Sequence, residues 1–138
     1  MNDEYRIHDR EYFKRLWEHH RPDSIKHTAE IWDSRAREWA KELKEDTSFQ
    51  KTLDARVRET TKYLNEQGLL NPGDNIIDIG SGSGRFTVEF AKTSEHVTGI
   101  DISPEMLTLG KTYAMSEGVS NTSFVECNFK DADIDDYG

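Results

Sequence analysis

Ile76-Ile77-Asp78-Ile79-Gly80-Ser81-Gly82-Ser83-Gly84-Arg85-Phe86 is a short apolar run, then three glycines at alternate positions, then the first residues of a helical pattern. An almost wholly apolar run of this length is expected of a strand buried on both faces, as in a parallel sheet. Phe86, Phe90 and Ala91 lie on one side of the helix that follows. Downstream, His96-Val97-Thr98-Gly99-Ile100 reads as a second strand closed by Asp101. Ser103-Pro104-Glu105 is a helix start with an N-cap, a proline at the first helical position and an acid in the first turn. That helix is expected to run to about Ser116 and to stop at Gly118, and Ser123-Phe124-Val125-Glu126-Cys127 reads as a third strand. The order β-α-β-α-β demands right-handed crossovers and a parallel sheet, so the fold class is α/β.

Upstream, Asn71-Pro72-Gly73-Asp74 is a turn by composition, and before it the rhythm is helical. Tyr12, Phe13, Leu16 and Trp17 form a first stripe. Trp32, Ala36, Trp39, Ala40 and Leu43 form a second, and Phe49, Leu53, Val57, Thr60 and Leu64 a third. Arg21-Pro22-Asp23-Ser24 separates the first two helices, Asp46-Thr47-Ser48 offers caps for the third, and Gly68 is placed to end it. The chain thus divides into a helical segment, 1–68, and a parallel half-sheet, 69–138. Two readings of the tryptophans stand side by side: helix packing, or a lid over a ligand that includes Trp32, Arg35 or Trp39.

The 138 residues fit one domain at most. No apolar run approaches the roughly 20 residues of a spanning helix, so a membrane role is not expected. A single cysteine, Cys127, excludes a disulfide scaffold and suits a reducing cytoplasm; the opening MNDEYRIHDREYF carries no export pattern. The net charge of −9 concentrates in the second half: residues 1–72 sum to −1 and residues 73–138 to −8. That half offers no basic stripe to a polyanion, so nucleic acid is not the expected partner.

A glycine-rich turn from a buried strand into a helix lets backbone approach a ligand and presents helix N-terminal N–H groups to it. Asp101, 21 residues after Gly80 and at the end of the next strand, is placed to accept both hydroxyls of a ribose. Ile102 can cover one face of an adenine, and Asn128, after the third strand, can hydrogen-bond an adenine edge. All stand at carboxyl ends of adjacent parallel strands, where open α/β sheets bind ligands. Arg85 occupies the place of the third glycine of a dinucleotide loop, and no Gly-Lys-Ser/Thr is present, so the expected ligand is an adenosine compound without a pyrophosphate.

The run Ile76–Phe86 resembles the first motif of class I S-adenosylmethionine-dependent methyltransferases. Val97-Thr98-Gly99-Ile100-Asp101-Ile102-Ser103-Pro104-Glu105-Met106-Leu107 resembles the second. The resemblance covers roughly residues 70–130 and implies a Rossmann-like methyltransferase fold, S-adenosylmethionine as cofactor and transferase activity. It implies that Asp78 and the Gly80, Ser81, Gly82 and Gly84 backbone hold the methionine end, Asp101 the ribose and Ile102 the adenine. Asn128 stands where the family more often has Asp, and its carbonyl can still accept from the adenine amine. Ile31-Trp32-Asp33-Ser34-Arg35-Ala36-Arg37-Glu38-Trp39 resembles the helix that precedes this domain and closes over the cofactor, which brings Trp39 to the site. Bland alternatives accompany two of these roles: Asp78 ordering the glycine turn, and Asp101 capping the next helix.

The family's sheet has seven strands, and only three are legible here, so the chain is expected to be the N-terminal, cofactor-binding part of a longer enzyme acting on a small-molecule acceptor. No catalytic base can be named. The unpaired edge of Ile76–Ile79 is expected to promote self-association. The alternative function is a non-catalytic module for an adenosine ligand or a partner chain. No metal is expected: His8, His19, His20 and His27 follow no ligand spacing, and Asp131-Ala132-Asp133-Ile134-Asp135-Asp136 reads as a solvated loop. Cys127 is expected to be a small buried apolar group.

Overall fold

The change of rhythm near Gly68 is where helices give way to sheet in a computed structural model of the chain, which describes residues 15, 25–42, 48–133 and 135. The stripe around Tyr12–Trp17, Leu43, and the capping residues Asp46 and Thr47 lie outside the described residues. Among the described residues two helices come first, α1 (Ile25–Glu42) and α2 (Ser48–Glu66). Gly68, at φ +67°, ends α2 by letting the Leu69 N–H turn back to the Leu64 carbonyl at 2.9 Å. Asp74 then closes the turn by accepting from the Asn71 N–H at 2.8 Å.

The remaining elements alternate: β1 (Asn75–Ile79), α3 (Arg85–Ala91), β2 (His96–Asp101), α4 (Pro104–Ser116) and β3 (Thr122–Glu126). The strands pair in parallel in the order β1-β2-β3, with Asp78 opposite Gly99 and Gly99 opposite Phe124. Both crossovers step the same way, so right-handedness puts α3 and α4 on one face of the sheet, where they touch each other. There, α1 packs along α4 and α2 along α3. The core lies between sheet and helices, with Val88, Val97, Ile100, Met106 and Leu107 almost wholly buried. Phe124 fills the crossing of α3 and α4, and only glycines fit around it. A Cβ on Gly84, which has φ +75°, would stand 2.8 Å from the Gly110 Cα and 3.1 Å from the Phe124 ring.

Three expectations need correction. β1 is not buried on both faces: with one neighbouring strand among the described residues it is half-buried to exposed along its length, and Ile79 is 52% exposed. The buried face of α3 is Thr87, Val88 and Ala91, while Phe86 and Phe90 stack on each other, centroids 5.6 Å apart, at partial exposure. β3 stops at Glu126, which leaves Cys127 beyond the strand and partly exposed. Among the described residues no helix is long and apolar enough to cross a membrane.

Candidate functional site: a cavity at the carboxyl ends of the strands

The glycine loop is held from beneath by β2. The N–H groups of Gly80 and Ser81 both donate to the Ile100 carbonyl, at 2.8 and 3.0 Å, and the loop glycines Gly80, Gly82 and Gly84 all take positive φ. Gly99 makes room behind the loop, since a Cβ there would lie 2.9 Å from the Ser81 Oγ. One carboxylate then ties the loop to the next turn. Asp101 Oδ2 accepts from the Gly82 N–H at 2.9 Å, and Oδ1 accepts from the Ser103 N–H at 2.9 Å. Ser103 is the N-cap of α4, its hydroxyl accepting from the Met106 N–H at 3.1 Å. Asp101 therefore orders the entry to the capped helix, and each oxygen keeps a further lone pair.

A cavity of about 980 Å³ opens above these strand ends. Gly80, Ser81, Gly82, Asp101, Ile102 and Asn128 line it, and Trp39 and Trp32 reach it from α1. Seven of the nine residues singled out in the sequence are thus brought together. The other two, Asp78 and Gly84, are not on its wall. Asp78 faces α3 and accepts from the Thr87 hydroxyl at 2.6 Å; burial raises its pKa, against the lowering effect of that hydrogen bond, and the Asp101 charge adds to the rise. Asp78 is thus tied to the first turn of α3. Gly84 serves the packing of α3 on α4.

The Asn128 amide is folded onto its own turn, its Nδ2 donating to Asp131 at 3.2 Å and its Oδ1 accepting from the Lys130 N–H at 3.4 Å. Cys127 lines the cavity, its Sγ 3.2 Å from the Asn128 carbonyl. Trp39 stacks at a tilt on Phe49, centroids 5.4 Å apart, so helix packing and a place on the cavity wall are both true of it. Three of the cavity's residues carry a buried polar atom with no protein partner: Trp39 Nε1, Ser81 Oγ and Arg85 Nε.

The sequence did not show what anchors the helices. Arg85 forms an ion pair with Asp54 of α2 at 3.2 Å and lies over the Tyr113 ring at 4.1 Å. Asp33 of α1 accepts from the Ser103 hydroxyl at 2.5 Å. Charged residues on polar helices carry no signal of which one is buried against a distant partner.

Comparison with known proteins gives a consistent picture. Residues 70–137 match the family described as methyltransferase domain. A phosphoethanolamine N-methyltransferase of Zea mays is 29% identical over 128 residues, covering 93% of this chain and 22% of the relative. A 23S rRNA (uracil(1939)-C(5))-methyltransferase of Klebsiella pneumoniae is 32% identical over 75 residues, covering 54% of this chain and 16% of the relative. Among solved structures, magnesium protoporphyrin IX methyltransferase of Synechocystis PCC 6803 with bound SAM superposes with TM-score 0.67 at 19% identity, over 82% of this chain and 58% of that one. The chain spans less than two thirds of each of these proteins, and their named acceptors range from a small amine to RNA. The match over residues 70–137 and the shared fold mark that segment as a methyltransferase domain of Rossmann-like fold, in line with the two sequence motifs.

Proposed function

We propose that the cavity binds S-adenosylmethionine and that the chain is the cofactor-binding part of a methyltransferase with a small-molecule acceptor, residues 1–68 forming a cap and 69–138 the sheet half of the site. The observation that supports this most is the placing of Asp101. Its carboxylate bridges Gly82 and Ser103 on the cavity wall, directly beside the loop, with acceptor capacity left for ribose hydroxyls. Ile102 and Asn128 stand next to it for the adenine, and Trp39 roofs the wall from α1. The roles read from the motifs for Asp78 and Gly84 become supporting ones, since both sit behind the loop.

The bound cofactor supplies a methyl group on a sulfonium, ready for direct displacement. What this chain contributes is position: the loop backbone and Asp101 hold the adenosyl end, and α1 shields the cavity from water. No described residue is assigned as a base. The acidic sheet half, at −8, supports a small or cationic acceptor over a polyanion. The outer edge of β1 has no strand partner among the described residues, which supports self-association along Asn75–Ile79, readable by sedimentation.

Calorimetric titration with S-adenosylhomocysteine, in competition with NAD, tests the reading. Saturable binding that NAD does not displace is expected. A preference for NAD would overturn it in favour of a dinucleotide site.

A further inference from the structure

We infer that Asp33 is a positioning residue that latches α1 over the cavity by sharing one buried serine with Asp101. The inference rests on the cofactor-site reading above.

Ser103 is wholly buried, and its polar atoms are committed in three directions. Its N–H donates to Asp101 Oδ1 at 2.9 Å, and its Oγ accepts from the Met106 N–H at 3.1 Å. With that lone pair occupied, the single hydroxyl proton goes to Asp33 Oδ1, 70 residues earlier in the chain, at 2.5 Å. The same Asp33 oxygen accepts from the Glu105 N–H at 3.3 Å, so it acts as a second cap on α4, where a carboxylate is favoured by the helix dipole. One turn along α1, Arg37 reaches Glu105 at 3.8 Å, an exposed and weaker contact.

A continuous path results: Asp33 to Ser103, Ser103 to Asp101, Asp101 to Gly82 of the loop. The docking residues Asp33, Ala36 and Arg37 and the cavity-lining residues Thr28, Trp32 and Trp39 belong to the same 18-residue helix. Docking of the first set places the second. Ala36 is the only buried apolar residue of α1 among those described, so the polar contact carries an unusual share of the docking. If the cavity binds ligand only with α1 in place, loosening the latch lowers apparent affinity by the fraction of chains left undocked.

The test compares Asp33→Ala and Asp33→Asn in the full chain, by amide hydrogen exchange over residues 25–42 and by titration with S-adenosylhomocysteine. Asn keeps an oxygen for both donors; Ala keeps none. Asp33→Ala is expected to speed exchange in α1 about tenfold while β2 stays protected, and to weaken binding about tenfold. Asp33→Asn should restore both to within about threefold of wild type. Unchanged α1 exchange in Asp33→Ala would overturn the latch, and faster exchange with unchanged affinity would overturn its positioning role. If wild type itself binds no S-adenosylhomocysteine, the cofactor reading fails while the exchange comparison still decides the latch. Should Asp33→Ala not fold, failure of Asp33→Asn to keep α1 protected overturns it equally.

Discussion

The sheet half and the two leading helices are held together by different physics. Between Leu70 and Ala114, eight apolar residues are buried, from Leu70 itself through Val88, Val97 and Ile100 to Met106 and Leu107. Along α1 and α2, a longer stretch of helix than the other two combined, only Ala36, Val57 and Thr61 among the described residues reach that degree of burial. Both leading helices have a polar mean composition with Trp32, Phe49 and Tyr63 substantially exposed. The sheet half is therefore stabilised mainly by apolar burial, at roughly 25 cal/mol per Å². The helices depend on a few directed contacts: Asp33 to Ser103, and Asp54 to Arg85 over Tyr113. A domain core opens cooperatively, whereas elements held by few contacts can open alone. This difference leads us to expect that α1 opens more readily than the sheet on which the proposed site stands.

The strongest way to break the first half of this comparison is Gly84→Ala. The substitution forces a side chain into the positive-φ region and drives its Cβ to 2.8 Å from the Gly110 Cα. Strain of about 1–2 kcal/mol and overpacking of about 1–3 kcal/mol combine to an expected loss near 3 kcal/mol. Urea unfolding followed by circular dichroism reads it. A loss below about 1 kcal/mol would mean that the α3–α4 crossing is softer than this packing implies.

Asp54→Ala addresses the helices. Its partner Arg85 has a side chain only 11% exposed, against 36% for Asp54, so the pair stands between a surface bridge and a buried one. An intermediate cost of about 2 kcal/mol is expected, because Arg85 is left without its carboxylate. It should appear as faster amide exchange along Ser48–Glu66 more than in β2. Uniform destabilisation of all elements would erase the distinction between the two regions.

The smallest effect belongs to Asp78→Asn. Burial raises the Asp78 pKa, so the folded chain holds that proton more tightly than the unfolded one. Stability then falls as pH climbs from the ordinary carboxyl value through the raised one. Asn keeps an acceptor for Thr87 and carries no charge. The variant is expected to match wild type at low pH and to become the more stable of the two as pH rises. The reverse trend would show that the Thr87 hydrogen bond outweighs desolvation.

What the sequence revealed follows the same division. Gly80–Gly84, Asp101 and the Ser103-Pro104-Glu105 start are local signals, because a tight loop, a strand end and a helix cap each constrain residues a few positions apart. All fell where the spacing predicts. The unpaired edge of β1 follows from the count of three strands and not from Ile76–Ile79 itself, since an apolar run looks the same with one neighbouring strand or two. The partners of Arg85 and Asp33, which lie 31 and 70 residues away in the chain, did not show in the sequence. On helices this polar, no pattern marks one carboxylate among many as a docking group. Asp78 shows a further limit: a motif names the residue, while only the structure shows that it turns from the cavity toward Thr87.

The proposed cofactor site at the strand ends and glycine loop turns on Asp101. Its most direct test is a calorimetric titration of the chain with S-adenosylhomocysteine, comparing wild type with Asp101→Ala, both checked for folding by circular dichroism. The account predicts saturable binding by wild type and at least about tenfold weaker binding by the variant, from the loss of charge-assisted hydrogen bonds. Equal affinity in the two folded proteins, or no binding by a folded wild type, would contradict it.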